Sequence, residues 1–144
     1  MRATAHAGAQ HATLARRALG LVYEALLLAA VLILGSLPYV MLAGDMSREW
    51  ARPLFQVYLV ALAGAYFVWQ WQRGGRTLAM RTWRLRLVTS EGAPVTWRHA
   101  SRRFLFALPG TLLLGAGFWW ALLDREGLFL HDRLAGTKIV RSEE

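Results

Sequence analysis

One run constrains this chain more than any other. Ala18 to Val40 reads ALGLVYEALLLAAVLILGSLPYV, 23 residues with a single charged side chain, Glu24. A helix rises about 1.5 Å per residue, so about 20 residues cross a hydrocarbon core about 30 Å thick. The run is therefore long enough to span a bilayer. Its carboxylate is the anomaly, because a charge at mid-membrane costs roughly 2.5–3.5 kcal/mol on insertion scales and so faces a partner or a cavity. Arg17 lies seven residues earlier. Seven residues turn a helix through about 700°, about 20° short of two turns, so the two charges share a face about 10.5 Å apart along the axis. That is too far for an ideal direct pair, and a third group between them is expected.

Composition agrees with a membrane protein. The chain has 144 residues, 56% of them hydrophobic, and seven Trp. A soluble core of this size has no use for so many long apolar runs. The net charge is +8, with 16 of 17 basic residues being Arg. On a soluble protein that balance would point to nucleic acid, but no recognition module is visible. Basic loops flanking membrane helices set orientation and meet anionic lipid heads. The expected partners are thus the lipid bilayer and its anionic head groups, with a homo-oligomer or another membrane protein as the remaining class. The absence of cysteine excludes disulfides, thiolate metal sites and Cys nucleophiles.

Along the chain, residues 1–15 read as a disordered tail and residues 16–141 as the membrane domain, with 142–144 as its end. The first run, 18–40, is longer than the about 7–15 residues of a signal-peptide core, and Leu42-Ala43-Gly44 is a poor cleavage site, so a retained span is expected. Leu37-Pro38-Tyr39 is expected to close the first helix. Residues 41–53 form a loop, and 54–71 is a second span with small residues at Ala61, Ala63, Gly64 and Ala65 for close helix packing. Residues 72–103 hold eight Arg and one acid, which makes this loop cytoplasmic by the positive-inside rule. Arg81 to Thr89 alternates, with Trp83, Leu85 and Leu87 on one face, which predicts a strand. Ser90 to Pro94 is a turn, and Val95-Thr96-Trp97 is the expected return strand of a small hairpin lying on the membrane surface. The third apolar run, 104–123, is broken at Pro109-Gly110 and loosened at Gly115 and Gly117. It reads either as one kinked span or as a re-entrant hairpin. In the tail, Ala135-Gly136-Thr137 is a turn and Lys138 to Val140 a candidate short strand. The fold class expected is an all-α membrane protein with two transmembrane helices, that third run and a small cytoplasmic β-hairpin.

Three stretches carry a family resemblance. Gly75-Arg76-Thr77-Leu78-Ala79-Met80-Arg81 leads into Leu85-Arg86-Leu87-Val88 and Glu91-Gly92-Ala93-Pro94, which resembles the G-x-T-x-G-M-x stretch of the RDD membrane family. Leu130-His131-Asp132-Arg133-Leu134-Ala135-Gly136-Thr137-Lys138-Ile139-Val140 is similar to that family's H-D-x-x-A-G-T-x-V ending. The family's first helix carries Arg and, seven residues on, Asp; here that spacing falls on Arg17 and Glu24. Glu24 stands for the first Asp on a longer arm, and Ala79 for the Gly before Met80. The resemblance runs from about residue 14 to 141. It implies a small multi-pass protein of the bacterial plasma (inner) membrane, with transport suggested for some members and no substrate named. The motif residues it marks are Gly75, Thr77, Met80, Arg81, Gly92, His131, Gly136 and Thr137.

Asp132 is then the candidate for the third group beside Arg17 and Glu24. Two buried acids with one Arg would share charge or a proton, as cation and proton pathways do; the same three residues equally make a structural ion cluster locking the tail onto the first helix. His131-Asp132 offers two adjacent ligands without a third or fourth, so no metal is expected. Gly74-Gly75-Arg76-Thr77 lacks the preceding strand and Lys-Ser/Thr pair of a phosphate loop and reads as a helix stop. Ser101, Thr77 and Thr137 have no visible base partner, so neither an enzyme nor a cofactor is expected. Two readings remain: a transport component for a small cation or proton, and a non-transporting accessory or scaffold protein. Topology separates them in part. If 104–123 spans once, eleven Lys and Arg lie inside and six outside; if it re-enters, the split is fifteen to two, the better fit to the positive-inside rule.

Overall fold

The computed structural model describes residues 13–113 and 115–142. The expected N-terminal tail lies mostly outside the described residues, and helix already begins at Leu14. The order is α1 (Leu14–Ala43), α2 (Ala51–Gly74), α3 (Leu78–Thr82), β1 (Leu85–Thr89), α4 (Trp97–Leu112), α5 (Ala116–Leu123), α6 (Leu130–Ala135) and β2 (Thr137–Arg141). The molecule is mostly helical, with one two-stranded antiparallel sheet.

α1 and α2 form an antiparallel pair, and both are long and apolar enough to cross a membrane. Thr13 caps α1, its side chain accepting from Arg16 N. The helix does not stop at Pro38, as the sequence suggested, but runs through it to Ala43. Proline there forfeits one helical hydrogen bond, which membrane helices tolerate. α2 likewise starts earlier and ends later than the expected span. The pair is held by Tyr58, whose hydroxyl donates to Gly35 O at 2.7 Å, and by Tyr39 against Phe55 and Tyr58, ring centroids 5.1 and 5.2 Å apart. Along most of both helices the large apolar side chains are exposed: Leu26, Ile33, Leu34 and Val57 all show more than half their surface. Such a continuous apolar surface suits lipid.

The polar segments fold back as a cap on one end of this pair. Gly75 ends α2 in the left-handed conformation (φ 64°). A Cβ there would lie 2.6 Å from Leu87 O, so the position needs glycine for its backbone angle and for the approach of β1. Gly75 O in turn accepts from Leu87 N at 2.6 Å. Thr77 then starts α3, its hydroxyl accepting from Met80 N at 3.2 Å. This cap moves Arg81 into a helix, so the strand begins at Leu85 rather than Arg81.

The strand's partner also differs from the expected one. β1 pairs with the distant β2, Leu87 opposite Ile139, while residues 95–97 give no strand and only Val88 bridges Pro94. Pro94 has no N–H with which to continue a ladder, whereas Thr137 to Arg141 offers a full row. The side chains also point elsewhere than expected. Leu85 and Leu87 do not cover a membrane face but are buried in a protein core with Trp71, Met80, Phe129 and Ile139. Each such leucine contributes roughly 1.5–3 kcal/mol by leaving water. β2 can reach β1 only if the C-terminal segment returns to the cap.

The third apolar run provides that return. It does not break at Pro109-Gly110, which lies inside α4, but between Leu112 and Ala116, where the chain bends by 97°. α4 continues through Pro109, which forfeits one helical hydrogen bond; Gly115, at φ 75°, makes the turn. Gly110 and Gly117 lie against each other, a Cβ on Gly110 coming 3.2 Å from Gly117 Cα. α5 has 8 residues, about 12 Å of helix, too short to cross a core of about 30 Å. Both ends of the run therefore meet the same end of the α1–α2 pair. Because the chain has no cysteine, single cysteines read topology cleanly. Labelling from one side of the membrane is expected to reach Ser90→Cys and Glu126→Cys together and Ser47→Cys from the opposite side. Glu126→Cys labelling with Ser47→Cys would contradict this path.

Candidate functional site

Only one stripe of α1 is buried: Arg17, Gly20 and Glu24. At Gly20 the side chains of Leu85 and Trp83 come within van der Waals range of where a Cβ would stand, so the cap sits down on this stripe. Arg17 and Glu24 flank that contact, and each is used to hold it.

The Glu24 carboxylate accepts from the Thr77 hydroxyl on one oxygen and from Tyr66 OH, at 2.9 Å, on the other. Thr77 thus serves two masters, accepting from Met80 N and donating to Glu24. Both the carboxylate and Thr77 are buried. The Arg17 guanidinium donates to Gly127 O and lies over the Phe129 ring, 4.6 Å from its centroid. Asp132 is fully buried; its Oδ1 accepts from Arg103 Nε at 2.6 Å and from Thr137 Oγ1 at 3.3 Å. Arg103 also covers the Trp71 ring at 4.3 Å. The three residues marked by spacing and motif are thus gathered at one end of the helix pair, but they do not bond one another. The cation on Asp132 is Arg103, not Arg17.

The remaining motif residues divide. Gly75 and Thr77 build the junction, Met80 is in the core, Gly136 (φ 69°) ends α6, and Thr137 is buried against Asp132. His131 is buried between Phe118 and Phe129, stacked on the latter with centroids 5.5 Å apart. Arg81 and Gly92 lie on the cap's surface away from the cluster. Sequence reasoning missed Arg103, Tyr66 and the Gly127 carbonyl. Arg103 had a signal: it is the last charge before the third apolar run, the position that the run carries inward. Tyr66 looked like one more apolar-run aromatic, and a backbone carbonyl leaves no trace in sequence.

Asp124 organises the loop that brings Gly127 to Arg17. Its carboxylate accepts from Leu128 N at 3.0 Å, Glu126 N at 3.1 Å and Arg133 Nε at 2.7 Å. The Leu128 N–H, then Arg133, hold it below the usual carboxylate range. Arg17, Glu24, Thr77, Arg103 and His131 also face a cavity of about 400 Å³ between α1, α2 and α4, whose other walls are apolar apart from Thr111. No group of three His, Cys, Asp or Glu able to hold a metal occurs among the described residues.

Two outcomes follow from these contacts. Asp132→Asn leaves the buried Arg103 without its counter-charge, and losing one partner of a buried pair costs about 3–5 kcal/mol. Thermal unfolding in detergent is expected to show that loss, with much of it recovered in Arg103→Met/Asp132→Leu. Burial, then the Arg103 charge, pushes the His131 imidazole down to about 4, against the opposing Asp132. An unfolded histidine takes up its proton below about 6.5. Between those values the unfolded chain binds more protons, so stability falls as pH drops through that window. The unfolding temperature is expected to decline from pH 7 to 5, and His131→Phe, which keeps the ring packing, to flatten the decline; equal slopes would refute the assignment.

Among known proteins, the family model described as the RDD family matches residues 11–136, most of the chain. No curated protein and no solved structure matches it.

Proposed function

The chain belongs to the RDD family, and from that premise we propose that it is a non-transporting accessory or scaffold protein of the bacterial plasma membrane in which the charged cluster is structural. Family membership and the apolar helices make it a membrane protein. The observation that carries the structural reading is that each charged group of the cluster already has a partner on another element. Glu24 of α1 holds Thr77 before α3, Arg17 of α1 holds Gly127 after α5, and Arg103 of α4 holds Asp132 of α6. These bonds tie the cap to the membrane helices in three places. In this reading the cap lies on the cytoplasmic side, supported by a split of fifteen basic residues to two when 104–123 returns to its starting face. The rigid cap then presents its outer arginines to anionic lipid or to a neighbouring membrane protein. No step of this role requires catalysis or a cofactor.

A second reading, movement of a proton or small cation, is favoured by one observation: Glu24 faces the cavity and its two donors are uncharged. Flux separates the two. Purified protein in liposomes is expected to pass protons, Na⁺ and K⁺ no faster than empty liposomes, and Glu24→Gln to change stability but not flux. Flux above the empty control that disappears in Glu24→Gln would establish the transport reading instead.

A further inference from the structure

α1 and α4 each pack on α2 but scarcely on each other. The cavity of about 400 Å³ occupies the cleft so left, within the about 300–1,000 Å³ typical of small-ligand sites. Its two ends differ. Toward the cap stand Arg17, Arg103, Trp71 and Glu24; away from it the walls are Ala25 and Leu28 of α1 facing Ala107, Leu108 and Thr111 of α4, the Thr111 hydroxyl donating to Ala107 O within its own helix. A chamber with a polar end and an apolar length, set between helices whose outer surfaces are apolar, has the shape of a membrane amphiphile.

Unpartnered atoms define the head. Among the described residues, four buried side-chain atoms have no hydrogen-bond partner: Arg17 Nε and Trp71 Nε1, whose residues line the cleft and are only 6% and 4% exposed, and Trp83 Nε1 and Asp132 Oδ2, whose residues are not among its walls. The two in the cleft are donors. An unmet buried donor costs about 1–3 kcal/mol, so the site favours an acceptor. Of the two cations that face the cleft, Arg103 is paired with Asp132 and Arg17 is held only by the neutral Gly127 carbonyl, so Arg17 is the charge an anion would meet; His131 is neutral at pH 7. Glu24 already accepts from two hydroxyls, which leaves it little to offer a cation.

We propose that the cleft between α1 and α4 binds one hydrocarbon chain of a membrane amphiphile whose anionic head, a carboxylate or phosphate, is held by Arg17 and Trp71. The proposal rests on the membrane reading but not on whether the cluster is structural or transporting, so the flux result leaves it standing or falling by its own test.

That test is native mass spectrometry of the full chain released from detergent, titrated with hexadecanoate, hexadecyl phosphate, hexadecanol and hexadecyltrimethylammonium. One hexadecanoate or hexadecyl phosphate per chain is expected to bind saturably, the tighter of the two naming the head. Hexadecanol and the quaternary amine are expected about tenfold or more weaker, the worth of one charge-assisted hydrogen bond. Ala107→Phe, which fills the apolar length without touching the head, is expected to abolish binding at unchanged unfolding temperature; Ala25→Leu serves if that variant fails to fold. Arg17→Gln is expected to weaken the two anions alone. Equal binding of all four probes overturns the proposal, as does binding that survives a folded cleft-filling variant. If Arg17→Gln does not fold, the comparison of heads on the unaltered chain decides.

Discussion

The contact between Glu24 and Thr77 is the one on which the rest depends. A carboxylate ten residues into an apolar helix must be solvated by something, and bulk water is not at hand. The chain supplies two hydroxyls, from Tyr66 of α2 and Thr77 at the start of α3. Thr77 can reach Glu24 only if the chain turns sharply after α2, and the left-handed Gly75 makes that turn. The same turn brings the Gly75 carbonyl to Leu87 N and so starts the sheet. One buried acid thereby fixes where the cap begins, at what angle it leaves α2, and which edge of β1 remains for β2.

The second half of the cap follows from the need to neutralise Arg103. An arginine buried beside Trp71 demands a carboxylate, and Asp132 answers from a helix that lies beyond the third apolar run. The run must therefore come back, and its bend at Gly115 with the Gly110–Gly117 contact lets two short arms pack closely enough to do so. Arg17 closes the arrangement by holding the Gly127 carbonyl. The buried charges are weak stabilisers in themselves; what they supply is a unique way for the cap to sit on the helices.

Much of this was legible because it rests on periodicity and on rarity. The two long helices followed from apolar length, and Glu24 stood out as the one acid in its run. The turn at Gly74-Gly75 and the turn and strand at Gly136 to Val140 were readable from local chemistry. The hairpin was misjudged because alternation reveals a strand but not its partner, and β2 lies about fifty residues away in sequence. The membrane-facing role given to Leu85 and Leu87 failed for the same reason: an apolar face looks alike whether lipid or a folded tail covers it. The break in 104–123 was assigned to Pro109 because proline is the stronger local signal, yet a proline within a helix bends it less than a left-handed glycine ends it. The Asp132 partner was misassigned because spacing along one helix says nothing of a cation on another.

The central claim is that the cap is docked on α1 through the buried Glu24–Thr77 contact, and a double-mutant cycle measures it directly. Glu24→Met leaves the Thr77 hydroxyl without an acceptor for its proton while Met80 N still donates to its oxygen, Thr77→Val leaves the carboxylate short of a donor, and the double variant removes both groups. Unfolding of the four proteins in the same detergent is predicted to give a coupling energy of about 1–3 kcal/mol, the range for residues in one buried network. Additivity within about 0.5 kcal/mol would mean that the two groups do not sense each other and that the cap is held by something else.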